Sequence, residues 1–406
     1  MKKQLIIIGG GFAGFWSAIS AIRQSREIQK RNEVEITLVN PDNQVTIRPR
    51  LNELSLEGLR FDLDKYLKPL GILQIIGRVE IIDPEKNELV ISTAQGNRNL
   101  HYDYLILAAG GSLKLSNLPG IQHTFDVESL DHVQQLEDHI IELAKKDFYE
   151  EGASTFVVYG SEYTGLDFVT SIEQKAGTIH AYYSGKKSGF KIILLENGNQ
   201  VAPSISNDCR QYVDDVIASK NIEFIPNVEP TSIEPAVIHL NNNSRIATRT
   251  VIWTKDMVAS PLTQFFNGTK DDLGRLTVDQ FLKLPEYNNV MAAGKLAHMT
   301  GGFRYSTLMD CQYAQFEGRW AGHNAINDLF NFSLKEYVRP GYTNCVDLGE
   351  PQTFYATTWE RGMQKKRYEE RAAENYANSV TMYPWQNVEE TVRESFPHIP
   401  KFSVTG

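Results

Sequence analysis

Gly9, Gly11 and Gly14 follow an apolar run in G-x-G-x-x-G spacing, a pattern suited to binding phosphate. The first glycine permits a tight turn, the second lets a pyrophosphate approach the backbone, and the third lets a helix pack closely on the strand before it. The anion then rests on a helix N-terminus, where unpaired N–H groups and the macrodipole favour negative charge. Phe12 and Ala13 lie between the second and third glycines and share that contact. A second loop of the same outline occurs at Gly160, Glu162 and Gly165, with glutamate in the middle place. A side chain there occupies the approach, and its charge repels phosphate oxygens.

These loops need a strand before them and a helix after them. "KKQLIIIGGGFAGFWSAISAIRQ" supplies both, with a buried strand at Gln4 to Ile8 and a helix from about Phe12. The same stretch has the basic start and apolar run of a secretory signal, but three consecutive glycines would each cost such a helix roughly 1 kcal/mol relative to alanine. "VEITLVN", Val34 to Asn40, is the next strand, and Asn40 or Asp42 stands where an acidic residue normally accepts from an adenosine ribose. Around the second loop, Thr155 to Tyr159 reads as a strand and "FKIILLENG" as its partner ending in Glu196, with "AGTIHAYYSGKKSGF" between them as a surface excursion. A carboxylate at Glu196 favours a ribose 2′-hydroxyl over a 2′-phosphate.

Elsewhere, "TIRPRLNELSLEG" is helix-like and carries Arg48 and Arg50, and "GRVEIIDPEKNELVIST" alternates as a hairpin. "YDYLILAAGG" is a buried strand ending in small residues, Ala109 and Gly110 among them. A helix follows "FDVESL", capped by Asp126 or Ser129, and another covers "LMDCQYAQFEGRWAGHNAINDLF". The last portion starts with strand-like pieces and continues as a charged helix around Lys365 to Asn378.

A chain of 406 residues suggests two domains and an appendage. A net charge of −9 gives no electrostatic reason to expect nucleic acid or an anionic membrane. Cys209, Cys311 and Cys345 form no C-x-x-C or C-x-x-x-x-C pair, which excludes a local redox disulfide, argues against a metal site, and suits reduced thiols in the cytoplasm. No stretch is apolar enough to span a bilayer, so integral insertion is not expected. Charges mix on several faces of the C-terminal helix, which suits packing or a homodimer better than peripheral membrane contact.

Taken together, the first fingerprint, "YDYLILAAGG", the second strand-turn-helix, "TVIWT", "NNVMAAG" and the helix with "QYAQFEG" and "HNAIN" resemble the two-dinucleotide-binding-domain flavoproteins, and most nearly the branch similar to type II NADH dehydrogenases. The resemblance covers residues 1 to 330. It implies an α/β fold of two Rossmann-like domains, the second inserted in the first, plus a C-terminal α+β segment. The FAD domain would be 1–119 with 256–330, the NAD(P)H-type domain 120–255, and the packing segment 331–406. It also implies FAD along Gly9, Gly11, Phe12, Ala13 and Gly14, with Asn40 at the ribose and Ala109 and Gly110 lining the flavin cleft. Arg48 and Arg50 fall where the family's chain passes the flavin ring. Gln312 matches a glutamine that points to the ring's pyrimidine side. His298 is a candidate acid or base, and Asp167 matches an acidic residue near the nicotinamide.

The chain departs from that family at three contact points. Glu162 replaces the middle glycine, Lys255 and Asp256 replace a small residue and glycine after "TVIWT", and Lys295 follows Gly294 where an aspartate would accept from the FAD ribitol. Lysine cannot accept that bond, although it can reach a phosphate or the flavin as a point charge. Three functions follow. One is an FAD oxidoreductase fed by NAD(P)H through a distorted site. Another is an FAD enzyme acting directly on a small organic substrate, with Lys255, Asp256 and Lys295 as pocket groups. The third is a non-catalytic flavoprotein fold that binds a partner. In the enzyme readings the remaining partner is a small-molecule electron acceptor.

Overall fold

β-Branched and leucine-rich runs bounded by glycine turns form most of the strands that build two parallel sheets in the computed structural model. It describes residues 1–114, 117–146, 150–185, 189–299, 309–338, 344–349, 353–356, 363–366 and 383–398. In chain order, the elements that matter are β1 (Lys3–Ile8), α1 (Phe12–Glu27), β2 (Val34–Asn40), β3 (Leu73–Ile76), β4 (Tyr104–Leu107), β5 (Thr124–Phe125), α2 (Leu130–Ala144), β6 (Thr155–Tyr159), α3 (Tyr163–Ser184), β7 (Lys191–Leu195), α4 (Asn207–Ser219), β8 (Glu223–Ile225), β9 (Thr250–Trp253), β10 (Val290–Ala292) and α5 (Cys311–Leu329).

The first sheet has strand order β10-β4-β1-β2-β3 and the second β5-β9-β6-β7-β8, with every neighbouring pair parallel. Strands buried on both faces read as continuous apolar runs, as "LIII", "YLIL" and "FVVY" do. Each unit also carries a three-stranded antiparallel sheet, Arg78–Asp83 to Gly96–His101 in the first and Pro230–Glu234 to Arg245–Ala247 in the second. The hairpin expected at residues 77–93 is the start of the former.

The chain passes between units through two adjacent antiparallel strands, Gly111–Leu113 and Met257–Ala259. It closes the first sheet with β10 and lays α5 along α1. Gly318 and Gly322 make that contact: a Cβ on either would meet the carbonyl oxygens of Ala13 and Ser17 at 2.3 and 2.1 Å. Polar bonds fix its register, including Ser20 Oγ to the Arg319 carbonyl at 2.7 Å and Gln24 to Asn327 at 2.7 Å.

Three local expectations are corrected. Residues 48–50 form a single 3₁₀ turn rather than part of a helix. The stretch expected as an excursion begins inside α3, which runs to Ser184 and buries Ala176, Gly177 and His180. Apolar neighbours therefore outweigh its polar composition. Met363–Lys366 is a strand paired with Thr353–Ala356, so the start of the predicted charged helix is extended, and residues 367–378 lie outside the described residues. Of the two cap candidates for α2, Ser129 accepts from the His132 N–H.

The C-terminal segment touches both units. Strand Asn344–Asp347 lies against α3, with the Asp347 N–H donating to Asp167 at 3.2 Å and Val346 buried. Residues 383–398 lie on the first unit through Arg26–Glu389 at 2.8 Å, Tyr66 Oη to the Trp385 carbonyl at 3.2 Å, and buried Val392. Among the described residues, no helix is long and apolar enough to cross a membrane.

Candidate active site

At the end of β1, Gly9 has φ +100°, and a Cβ there would lie 2.4 Å from the Ala108 carbonyl oxygen. Only glycine allows β1 and β4 to end so close together. Gly14 is equally constrained, since its Cβ would meet the Gly9 oxygen at 1.7 Å. Gly11 differs: a Cβ there would meet nothing within 4 Å. It caps α1, whose first turn holds no acidic residue and receives no side-chain cap bond. The cradle is therefore an open helix N-terminus, as an anion needs. Phe12 and Ala13, both buried, begin that helix. Asn40 is committed to the loop itself, with Oδ1 accepting from the Gly10 N–H at 2.7 Å and Nδ2 donating to the Asp42 carbonyl at 3.0 Å.

The second loop has the same frame. Gly160 has φ +107°, and a Cβ on Gly165 would meet the Gly160 oxygen at 1.9 Å. Its cradle, however, is bridged. Glu162, the N-cap of α3, accepts from the Ser204 N–H at 3.1 Å and from the Ser204 hydroxyl. Ser161 Oγ accepts from the Ala202 N–H at 3.0 Å, and Arg210 holds the Val201 and Ile205 carbonyls at 3.1 and 2.9 Å. Residues 201–205 thus form a strap across the loop.

Glu196 is only 2% exposed. It accepts from the Ser161 N–H at 3.0 Å, the Ser161 hydroxyl at 2.7 Å and the Gly198 N–H at 3.1 Å, and it pairs with Lys255. Burial pushes its pKa up, but Lys255 and these bonds outweigh burial and hold the carboxyl below its usual 4.5. Asp167 accepts from the Asp347 N–H and so holds the C-terminal strand. Asp256 takes φ +66°, and its carbonyl accepts from Lys114 N–H at 2.8 Å beside the crossing strands.

Between the units lies a charged cluster. Arg48, from the 3₁₀ turn, and Lys295, after β10, both reach Glu128 Oε2, Lys295 at 3.6 Å. Burial brings the Arg48 guanidinium down to about 10, partly relieved by Asp126, so it stays charged at neutral pH. Burial, then Arg48, push Lys295 well below the ordinary lysine value. Asp310 caps α5 by accepting from the Gln312 N–H at 2.7 Å, and burial raises its carboxyl pKa. Burial and Asp310 also raise the Cys311 thiol, which favours its protonated form. Gln312 is half-buried in the first turn of α5.

Gly294, at φ +80°, sits against Ala13 and donates to Glu317 at 2.6 Å. Gly110, at φ +69°, has open space where a Cβ would be, and Ala109 precedes it at the same strand end. Arg50 is turned to the C-terminal segment, binding Glu53 through two bonds of 2.6 and 2.8 Å and Tyr383 Oη at 2.8 Å. His298 lies in strand Ala297–Met299, 3.7 Å from Asp271.

Residues 3–318 match the pyridine nucleotide-disulphide oxidoreductase family. The chain belongs to this family. It is 29% identical over 384 residues to an NADH dehydrogenase-like protein of Mycobacterium tuberculosis, covering 94% of each chain. It is 21% identical to a type II NADH:quinone oxidoreductase of Staphylococcus saprophyticus, covering 83% of this chain and 85% of that one. Its fold superposes with a TM-score of 0.79 on the structure of NDH2 from Plasmodium falciparum in complex with NADH, at 15% identity, covering 97% and 98% of the two chains.

Members of the pyridine nucleotide-disulphide oxidoreductase family are enzymes, and the cofactor is FAD. The first unit fits that cofactor through the open Gly11 cradle and the uncapped start of α1. Glu128, Asp310 and Ser204 stand in no motif that marks them in the sequence. Glu128 and Ser204 lie in irregular stretches without a motif, and both acquire their roles through residues distant in sequence. Asp310 did carry a signal, an aspartate directly before a helical run.

Proposed function

We propose that this flavoenzyme draws two electrons directly from a small organic donor and passes them through FAD to a small-molecule acceptor, with its second nucleotide cradle closed by its own side chains. The observation behind this reading is Glu162, which places a carboxylate at the start of α3 and bonds to the Ser204 strap. A dinucleotide would have to displace both, against like-charge repulsion. In this reading residues 1–119 and 256–330 hold FAD, 120–255 are the repurposed unit, and the described parts of 331–406 pack on both.

FAD supplies the two-electron chemistry when bound. Arg48 and Lys295 place positive charge at the junction of the units, where negative charge developing on a donor is stabilised. Lys295 holds its proton less tightly than an exposed lysine, which suits proton transfer to and from the donor. The Glu162 strap keeps the second cradle shut, so the donor enters between the units.

A second reading, with NADH as donor, draws on the names of the relatives. It requires the strap to open and Glu162 to swing away. Anaerobic mixing of the holoenzyme with NADH and with NADPH, followed at the flavin's visible band, separates the two. The expected result is no reduction of the wild type within seconds and measurable reduction of Glu162→Gly. Rapid bleaching of the wild type would overturn the closed-cradle reading.

A further inference from the structure

Arg48 and Lys295 belong to the first unit, whereas Glu128 lies in the loop between β5 and α2 of the second. Both cations converge on one oxygen of that carboxylate. Their side chains are 27%, 16% and 14% exposed for Arg48, Lys295 and Glu128, so water screens the group only partly. Lys295 Nζ also lies 3.9 Å from Met257 Sδ, a weak acceptor. Asp310 acts on Lys295 electrostatically, but its carboxylate already caps α5 through the Gln312 N–H. Asp126 is engaged with His132 at 2.5 Å and with the Glu128 N–H at 3.1 Å. Asp126 and Asp310 act on Arg48 and Lys295 respectively, but among the described residues Glu128 is the carboxylate ion-paired with both cations, and it reaches them from across the junction.

A guanidinium fork beside an ammonium point charge is suited to a carboxylate, the fork fixing orientation and the ammonium adding charge. We propose that Arg48 and Lys295 form the carboxylate subsite for the electron donor, which is a small carboxylic acid, and that Glu128 is an internal stand-in displaced when the donor binds. The inference rests on the direct-donor reading above and names the donor's chemical class.

The test titrates the FAD-loaded full chain with lactate, glycolate and benzoate, and with the matching amides, at constant ionic strength. Binding is read from the perturbation of the visible flavin spectrum. In the wild type the acids bind and the amides do not. Glu128→Gln removes the competing charge with little change of shape, and it is expected to tighten acid binding by about tenfold. Lys295→Met is expected to weaken it by ~30-fold or more, with Lys295→Arg recovering part of the loss. Thermal melts and FAD content check that each variant is folded and loaded.

Equal binding of acids and amides would overturn the proposal, as would an acid affinity indifferent to Glu128→Gln. A Glu128→Gln variant that shifts the flavin midpoint potential but leaves acid binding unchanged would assign the two cations to the flavin itself and also overturn it. Failure of the parent reading is distinguishable. Rapid NADH reduction of the wild type, together with Glu128-dependent acid binding, would remove the direct-donor reading but keep the anion subsite. No NADH reduction and no Glu128 effect would remove the subsite alone.

Discussion

At the end of β1 the Gly9 N–H donates to the Val39 carbonyl, and at the end of β6 the Gly160 N–H donates to that of Leu195. Gly10 N–H meets the side chain of Asn40, and Ser161 N–H meets that of Glu196. The Asn40 carbonyl accepts from Gly77, and the Glu196 carbonyl accepts from Val228. The two loops are thus superimposable in their bonding, and the chemistry diverges at the next residue, Gly11 in one and Glu162 in the other. The backbone frame and anion cradle are therefore separable: a loop can keep its first and third glycines for packing while losing the second, which faces the ligand.

The strongest challenge to that separation is to transfer the divergence. Gly11 has φ −68° and open space around it, so Gly11→Glu is tolerated by the fold. A carboxylate about 4 Å from a phosphate oxygen costs on the order of 4 kcal/mol at an effective dielectric of 20. The variant should purify colourless with an unchanged circular dichroism spectrum. Retention of stoichiometric FAD would show that the middle residue does not decide occupancy.

Next in size are Gly14→Ala and Gly165→Ala. Each added methyl would overlap a carbonyl oxygen in the same way, so each should cost ~3 kcal/mol or more in urea unfolding of apoprotein. If Gly165→Ala were silent, the second loop's packing role would be wrong. Smaller effects come from the matched pair Asn40 and Glu196. Lys255→Met strands a buried carboxylate at a cost of about 3 kcal/mol, while Asn40→Ala loses neutral bonds worth about 1 kcal/mol.

Acid should separate the units more gently. His323, against Arg23 at 2.9 Å in the α1–α5 contact, is held at about 4 by burial, then by Arg23 and Lys335. The unfolded chain takes up that proton below its ordinary 6.5, so this stability is present above 6.5 and lost as pH falls through about 4. Glu196, held below 4.5, contributes stability above 4.5 that is lost only at lower pH. Amide exchange should therefore rise first in α1 and α5, and His323→Gln should flatten that rise.

Much of this plan was readable from residue order. The first loop, both βαβ units, the buried strands and α5 carry strong local signals, because runs such as "LIIIGGG" and "TFVVYG" leave few alternatives. Glu162 was readable as an obstruction but not as a bonded strap, since Ser204 is 42 residues away. Arg50 and Asp167 resembled site residues, yet they hold the C-terminal segment, whose docking no local pattern encodes. Glu128 shows the same limit more sharply, because its partners come from the other unit.

The closure of the first sheet by β10, and of α1 by α5, also sets an order of events on the ribosome. Every strand of the second sheet lies within residues 124–253, so the inserted unit is complete before β10 and α5 have been made. Until then the first sheet lacks an edge, and the face of α1 that Gly318 and Gly322 will cover stays open. The nascent chain thus carries a finished insert beside an unfinished host, so the first unit is the part of this enzyme that needs protection from aggregation during synthesis.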